Sequence, residues 1–325
     1  AAAMRIPLVY HPAYSCPQWP RTHRFPMWKF ADLHDHLTRL GIAATDNIHR
    51  PTESPPHEWF EAVHTPRYYR AFLDGTLGAE QERRVGFREQ MRRPPLISRT
   101  LLECAGTVRT VELALEHKLA ANLAGGTHHA HRDFGSGFTI LNDLAVAAAW
   151  ARANTHVERV AIVDLDVHQG DGTAAIFADE PDVFTLSFHC GANFPFRKAQ
   201  SDWDEDLPRG TTDREYLARL RHVLPSVLES HQPDLVLYDA GVDVYEKDEL
   251  GYLNLTSAGI YQRDRFVIDE CVRSGVPVAC VIGGGYDRDP VALARRHALV
   301  HRAADAVWRR AGLGHRVGAC DRGNL

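Results

Sequence analysis

Lysine is scarce in this chain. Lys29, Lys118, Lys198 and Lys247 are the only four among 37 Lys and Arg residues, leaving 33 arginines. That bias, with abundant alanine, reads as a GC-rich, bacterial coding sequence. Cysteine is sparse too. Cys16, Cys104, Cys190, Cys271, Cys280 and Cys320 are scattered and form no Cys-x-x-Cys pair. This spacing argues against a disulfide framework and against a zinc finger. Positive charge is not in excess. A net charge of −5 and a pI near 6.4 leave no general basic field for nucleic acid or anionic lipid. No apolar run approaches a membrane span and no secretory signal is visible, so no membrane partner and a cytosolic location are expected.

What is present suffices for one large domain with a full core: 325 residues, 44% hydrophobic and 24% charged. Ala1 to Ala3, ahead of Met4, read as an added leader, so a single domain is expected over 4–325. No internal repeat, low-complexity tract or long linker divides it. Pro51–Pro56 and Arg92–Pro95 read as surface loops. Apolar runs predict strands over Ile6–Tyr10, Lys118–Leu123, Val160–Leu165, Val183–Phe188, Leu235–Asp239 and Val276–Ile282. Amphipathic stretches predict helices over Trp28–Leu40, Ser98–His117, Ile140–Ala153, Asp213–Ser230, Ser257–Ser274 and Pro290–Ala311. Ser98 is the expected N-cap of one helix and Pro290 a first-turn residue of another. The alternation predicts an α/β fold, a mainly parallel sheet sandwiched by helices.

Four of these strands run into polar or glycine-rich motifs. Leu119–Leu123 leads to Gly125-Gly-Thr-His-His-Ala130, and Val160–Leu165 to Asp166, His168 and Asp171. Leu235–Asp239 leads to Gly241-Val-Asp243, and Val276–Ile282 to Gly283-Gly-Gly-Tyr286. Parallel sheets place their chemistry at the carboxyl ends of strands. Asp166 and His168 are two apart, so in extended chain they share a side. With Asp243 they make a two-carboxylate, one-imidazole set suited to a divalent ion with an open position for water. The bland alternative is an Asp-rich turn and a capping Asp243. The coincidence of four strand ends favours ligation.

His128 and His129 then fall where one could take a proton from water activated at the ion and the pair could return it to a leaving amine. Asp164 and Asp171 are spare acids able to hold their far nitrogens. Gly125 and Gly126 favour close backbone approach over two solvent-exposed histidines. Tyr286, after three glycines, suits an oxyanion donor rather than a plain anchor. No Gly-x-x-x-x-Gly-Lys-Ser/Thr loop and no Gly-x-Ser-x-Gly elbow is present.

These ordered motifs resemble the histone deacetylase superfamily, the metal-dependent acyl-amine hydrolases of the arginase–deacetylase fold. The resemblance includes Gly135-Ser-Gly-Phe138, Asn142-Asp143, Asp164-Leu-Asp-Val-His-Gln-Gly-Asp-Gly-Thr173, His11-Pro-x-Tyr14 and Val63-His-Thr-Pro66. Phe25-Pro26, His168-Gln169 and the Glu246–Thr256 stretch look most like class IV deacetylases and their bacterial relatives. The resemblance implies metal ligands Asp166, His168 and Asp243. It implies catalytic His128 supported by Asp164, catalytic His129 supported by Asp171, and Tyr286 polarising the carbonyl. It also implies a structural potassium ion near Asp164, Asp166, His168, Ser187 and Phe188, and an acyl-lysine channel lined by Gly137, Phe138 and Phe194. One departure stands out. Many relatives carry an acidic rim residue before the long helix, where this chain reads Arg92-Arg-Pro-Pro-Leu96.

The expected activity is hydrolysis of an acylated amine, above all Nε-acyl-lysine in a peptide or protein. Zinc is the expected ion, with iron(II) the alternative for such a donor set. A hydrolase of acetylpolyamines or other small acylated amines is the nearest rival, and would need acids at the mouth. Asp202, Asp204, Glu205 and Asp206 offer themselves, though a solvated loop explains them equally. An arginase-like dimanganese enzyme would need more carboxylate ligands and leave Tyr286 idle. A non-catalytic scaffold would have no use for the complete set.

Overall fold

The computed structural model describes residues 3–315. Cys320 and the end of the 4–325 span lie outside them. Eight strands form one sheet: β1 (Leu8–Val9), β2 (Ile48–His49), β3 (Leu119–Asn122), β4 (Val160–Asp164), β5 (Val183–Cys190), β6 (Trp203–Leu207), β7 (Leu235–Asp239) and β8 (Val278–Val281). Their order is β2-β1-β3-β8-β7-β4-β5-β6 and every pairing is parallel. The expected α/β sandwich is the architecture found. The central strands are buried at every position, as sheets covered on both faces require, so they read as unbroken apolar runs. Helices flank the sheet. Pro94–His117 packs on Asp143–Asn154, while Pro290–Arg310 packs on Ser257–Arg273 and on Lys29–Arg39. No helix among the described residues is long and apolar enough to cross a membrane.

Local readings differ from the structure in three places. The long helix begins at Pro94, not Ser98. Arg93 is its N-cap and Pro94 and Pro95 fill its first turn, where a missing N–H costs nothing. So Arg92–Pro95 is not a free loop. Rather than in a solvated loop, Asp204, Glu205 and Asp206 of the acidic run lie in strand β6 at the sheet edge, with Asp202 just before it. Its charges blunt that edge, and its neighbours occupy them. Asp202 accepts from Thr185 N at 2.8 Å, Asp204 from Gln169 Nε2 at 2.9 Å, and Glu205 from Arg219 Nη1 at 2.7 Å. Finally, β4 stops at Asp164, so strand alternation does not align Asp166 with His168. A bend through residues 166–168 does.

The order of strands positions the site. The four motif-bearing strands, β3, β8, β7 and β4, are consecutive neighbours in the sheet. Their carboxyl-end loops therefore open onto one stretch of sheet edge.

Candidate active site

Asp166, His168 and Asp243 are buried, and one donor atom from each lies within 4.8 Å of the others. Backbone amides hold the outer carboxylate oxygens. Gly284 N donates to Asp166 Oδ2 at 2.7 Å, and Val167 N to Asp243 Oδ1 at 2.9 Å. That turns Asp166 Oδ1 and Asp243 Oδ2 inward, each 3.2 Å from His168 Nδ1. Two buried carboxylates facing one another repel unless positive charge lies between them. The donor set, its convergence and its burial fit a divalent ion with mixed oxygen and nitrogen ligands.

The histidine pair stands beside this triad. His128 Nδ1 lies 2.5 Å from Asp164 Oδ2, and His129 Nδ1 lies 2.6 Å from Asp171 Oδ1. The two rings, 4.2 Å apart, are in unequal fields. Burial opposes the charged form of both. Around His128 the carboxylates of Asp164, Asp166 and Asp239 overcome it and raise its pKa well above the usual value. His129 is pushed down to about 4 by burial and then by its neighbour's charge. One imidazole is thereby held charged and the other neutral, an arrangement that separates acid from base roles. Gly126 makes the loop possible. Its φ is +98°, and a Cβ there would lie 2.7 Å from Gly283 Cα. Asp143 fixes the same loop, accepting from Gly126 N at 3.0 Å and Thr127 N at 2.7 Å.

Tyr286 is buried and lines both the inner cavity and its mouth. Its amide is anchored to Asp248 Oδ2 at 2.8 Å. Burial and the surrounding carboxylates keep its phenol far above the usual range, hence a proton donor. Gly137, Phe138 and Phe194 come together at the mouth. A Cβ on Gly137 would lie 2.7 Å from the His129 ring and 2.9 Å from that of Phe194. The five residues read as a potassium site lie along β4, its following bend and β5, with Asp164 and Ser187 register partners.

A family model described as a histone deacetylase domain matches residues 23–302. The chain belongs to the histone deacetylase family. Family relatives include an uncharacterised protein of a Picosynechococcus strain, 49% identical over 94% of this chain and 100% of that one. Histone deacetylase 2 of Arabidopsis thaliana is 33% identical over 57% of this chain and 48% of its own length. Among solved structures, an HDAC homolog from Aquifex aeolicus superposes with a TM-score of 0.77 at 24% identity, covering 93% of this chain and 84% of that one. That likeness is one of fold.

Several buried polar groups of this family member had no assigned role in the sequence. Lys29 is 1% exposed, with Nζ 3.4 Å from Gly283 O and 5.4 to 5.9 Å from the rings of Phe25, Phe30 and Tyr286. Burial pushes its ammonium down to about 8. Asp239, the last residue of β7, is fully buried and neither carboxylate oxygen has a hydrogen-bond partner. Burial and the nearby Asp164 raise it far above the carboxylate range. Arg263, also fully buried, donates from Nη1 to Leu165 O at 3.0 Å and Gly241 O at 2.8 Å. It therefore ties together the loops that carry Asp166 and Asp243. Only the abrupt polarity of Asp239 at the end of an apolar run hinted at any of these.

Proposed function

We propose that this family member is a metal-dependent amide hydrolase that removes an acyl group from the Nε of lysine. One observation carries the reading: Asp166, His168, the two carboxylate-held histidines and Tyr286 line one inner cavity, Asp243 converges on the first two, and His129, His168 and Tyr286 also line the adjoining aromatic mouth. A divalent ion held by the triad would polarise the amide carbonyl and activate water. Zinc is the proposed ion and iron(II) the alternative. Neutral His129 takes the proton from the attacking water, its ring oriented by Asp171. His128, charged between carboxylates, supplies positive potential and a proton for the departing amine. The Tyr286 hydroxyl donates to the carbonyl oxygen as it gains charge. Phe138 and Phe194 give the lysine stem an apolar slot, and Gly137 leaves room for it. A structural potassium ion at Asp164, Asp166, His168, Ser187 and Phe188 belongs to the same proposal, as does kinship with class IV enzymes. A cytosolic setting is supported by Cys16, Cys104, Cys190, Cys271 and Cys280, all free and buried.

Asp202, Asp204 and Glu205 are engaged by neighbouring groups, and among the described residues no Asp or Glu lines the mouth. This favours lysine over a free polycation. The test is a release assay on Nε-acyl-lysine peptides from acetyl to myristoyl, with acetylpolyamines alongside. Metal-loaded wild type should turn over one of the lysine series. His129→Ala should lose about 10²- to 10⁴-fold in kcat. A wild-type protein that binds metal yet releases nothing would sink the enzymatic reading.

A further inference from the structure

The chemistry above uses the floor of the site and leaves the character of its mouth unexplained. The mouth is a recess of about 370 Å3 whose lining includes Arg84, Phe138, Phe194, Phe196 and Tyr252. Phe196 is 90% exposed and Tyr252 43% exposed. Large aromatic side chains left in water beside a cavity mark a surface that meets a ligand.

Two exposed arginines stand at this rim from separate segments, Arg84 lining it and Arg209 stacked on its Tyr252. The Arg84 segment is stitched to the channel wall. Gly137 N donates to Arg84 O at 3.2 Å and Phe138 N to Val85 O at 2.7 Å. Its guanidinium carbon lies 4.5 Å from the centroid of Phe134. Arg209 comes from the loop after β6. Its guanidinium carbon lies 3.9 Å from the Tyr252 ring centroid, and Gly210 N donates to Tyr252 O at 2.8 Å. Asn193 links the Tyr252 loop to Phe194 by donating to Leu250 O at 2.8 Å and accepting from Tyr252 N at 3.1 Å.

Some exposed arginines of this chain are neutralised by a carboxylate. Arg92 pairs with Glu82, Arg219 with Glu205, and Arg288 with Glu249. Arg84 and Arg209 have no carboxylate partner among the described residues. Stacking on an aromatic face fixes a guanidinium while leaving its in-plane N–H donors available. Two preorganised cations, an absence of lining carboxylates and exposed aromatics define a complementary ligand.

We propose that this mouth selects acyl-lysine within an acidic peptide segment, one carrying Asp or Glu near the modified lysine. Arg84 and Arg209 receive the flanking carboxylates, and Phe196 receives an apolar side chain of the same segment. The proposal rests on the acyl-lysine reading and names the sequences that reading prefers.

The test compares three acetyl-lysine peptides that differ only in their flanks: Asp and Glu, Asn and Gln, or Lys and Arg. Nε-acetyl-lysine with both ends blocked and no flanks serves as the minimal substrate. The acidic peptide should have a KM about ten-fold below that of the basic one at low salt, narrowing as salt is raised. In the Arg84→Glu, Arg209→Glu double variant the order should invert, its fold checked by circular dichroism. Equal kcat/KM across the three peptides, or a preference for the basic one, would overturn the proposal even with the minimal substrate hydrolysed. Failure on every substrate would instead count against the acyl-lysine reading. Fluorescence anisotropy of the three labelled peptides on the metal-loaded protein then still judges the rim, and equal affinities overturn it.

Discussion

At the residue scale, the site divides its work by environment rather than by residue type. His128 and His129 are chemically identical and adjacent, yet three carboxylates surround the first while the second feels its neighbour's charge. Tyr286 keeps its proton because burial and nearby carboxylates disfavour the phenolate. In the proposed mechanism its hydroxyl would strengthen the reaction only as the carbonyl oxygen gains charge. Tyr286→Phe should therefore lower kcat by about 10²- to 10³-fold. Metal content, read by elemental analysis, should stay at the wild-type level. An undiminished kcat would remove the oxyanion role. Gly126 carries a different constraint. Its φ of +98° and its contact with Gly283 leave no space for a methyl group. Gly126→Ala should destabilise the fold by about 1–3 kcal/mol, measured by denaturant titration.

At the element scale, the proposed metal ligands come from two loops far apart in sequence, and Arg263 joins them. A fully buried guanidinium is expensive to desolvate. Here it is paired with Asp264, with Nη2 3.0 Å from Oδ1. Tyr238 OH also donates to Asp264 Oδ1, at 2.5 Å. The pairing leaves Nη1 to grip the carbonyls of Leu165 and Gly241. Arg263→Met should weaken zinc binding about 10- to 100-fold in chelator competition, the range seen when groups that orient metal ligands are removed. The cobalt-substituted protein should also show a shifted visible absorption. Arg263→Lys keeps the charge and one donor and should recover part of the affinity. Unchanged affinity in the methionine variant would reduce Arg263 to a packing element. Strand β6 illustrates the opposite case. Its acids blunt the sheet edge, and Asp204 and Glu205 are hydrogen-bonded to neighbours, so a charge run that invited a functional reading has a structural account.

At the scale of the whole molecule, buried histidines set the response to acid. His64 bridges two segments, accepting from Asn142 N at 3.0 Å while its other nitrogen lies 2.9 Å from His131 O. A second ring proton would point at the Asn142 amide. Burial holds its pKa down at about 4, against an ordinary 6.5. Between those values the unfolded chain takes up the proton and the folded chain does not. The contribution of His64 to stability should therefore fall as pH drops from about 6.5 towards 4. Asp248, pushed up to about 7 by burial, acts in the opposite sense across the whole of that window. The difference in Tm between wild type and His64→Gln isolates the histidine. That gap should narrow as pH falls, and a constant gap would refute the account.

The sequence by itself determined the chemical inventory and the class of fold. Apolar runs that stop at Asp164 or at Asp239, and glycines before His128 and Tyr286, are local signals carried by neighbouring residues. They announce a parallel sheet with chemistry at its strand ends, and ordered motifs announce the family. Proline hid the true start of the helix at Pro94 because it reads as a breaker until its place in the first turn is known. Only the tertiary structure decided that β3, β8, β7 and β4 are neighbours, that Lys29, Asp239 and Arg263 are buried, and that Arg84 and Arg209 attend one mouth. Those facts depend on which distant segments exclude water from one another. Burial and adjacency are properties of packing, and no residue carries them in its own short stretch of chain.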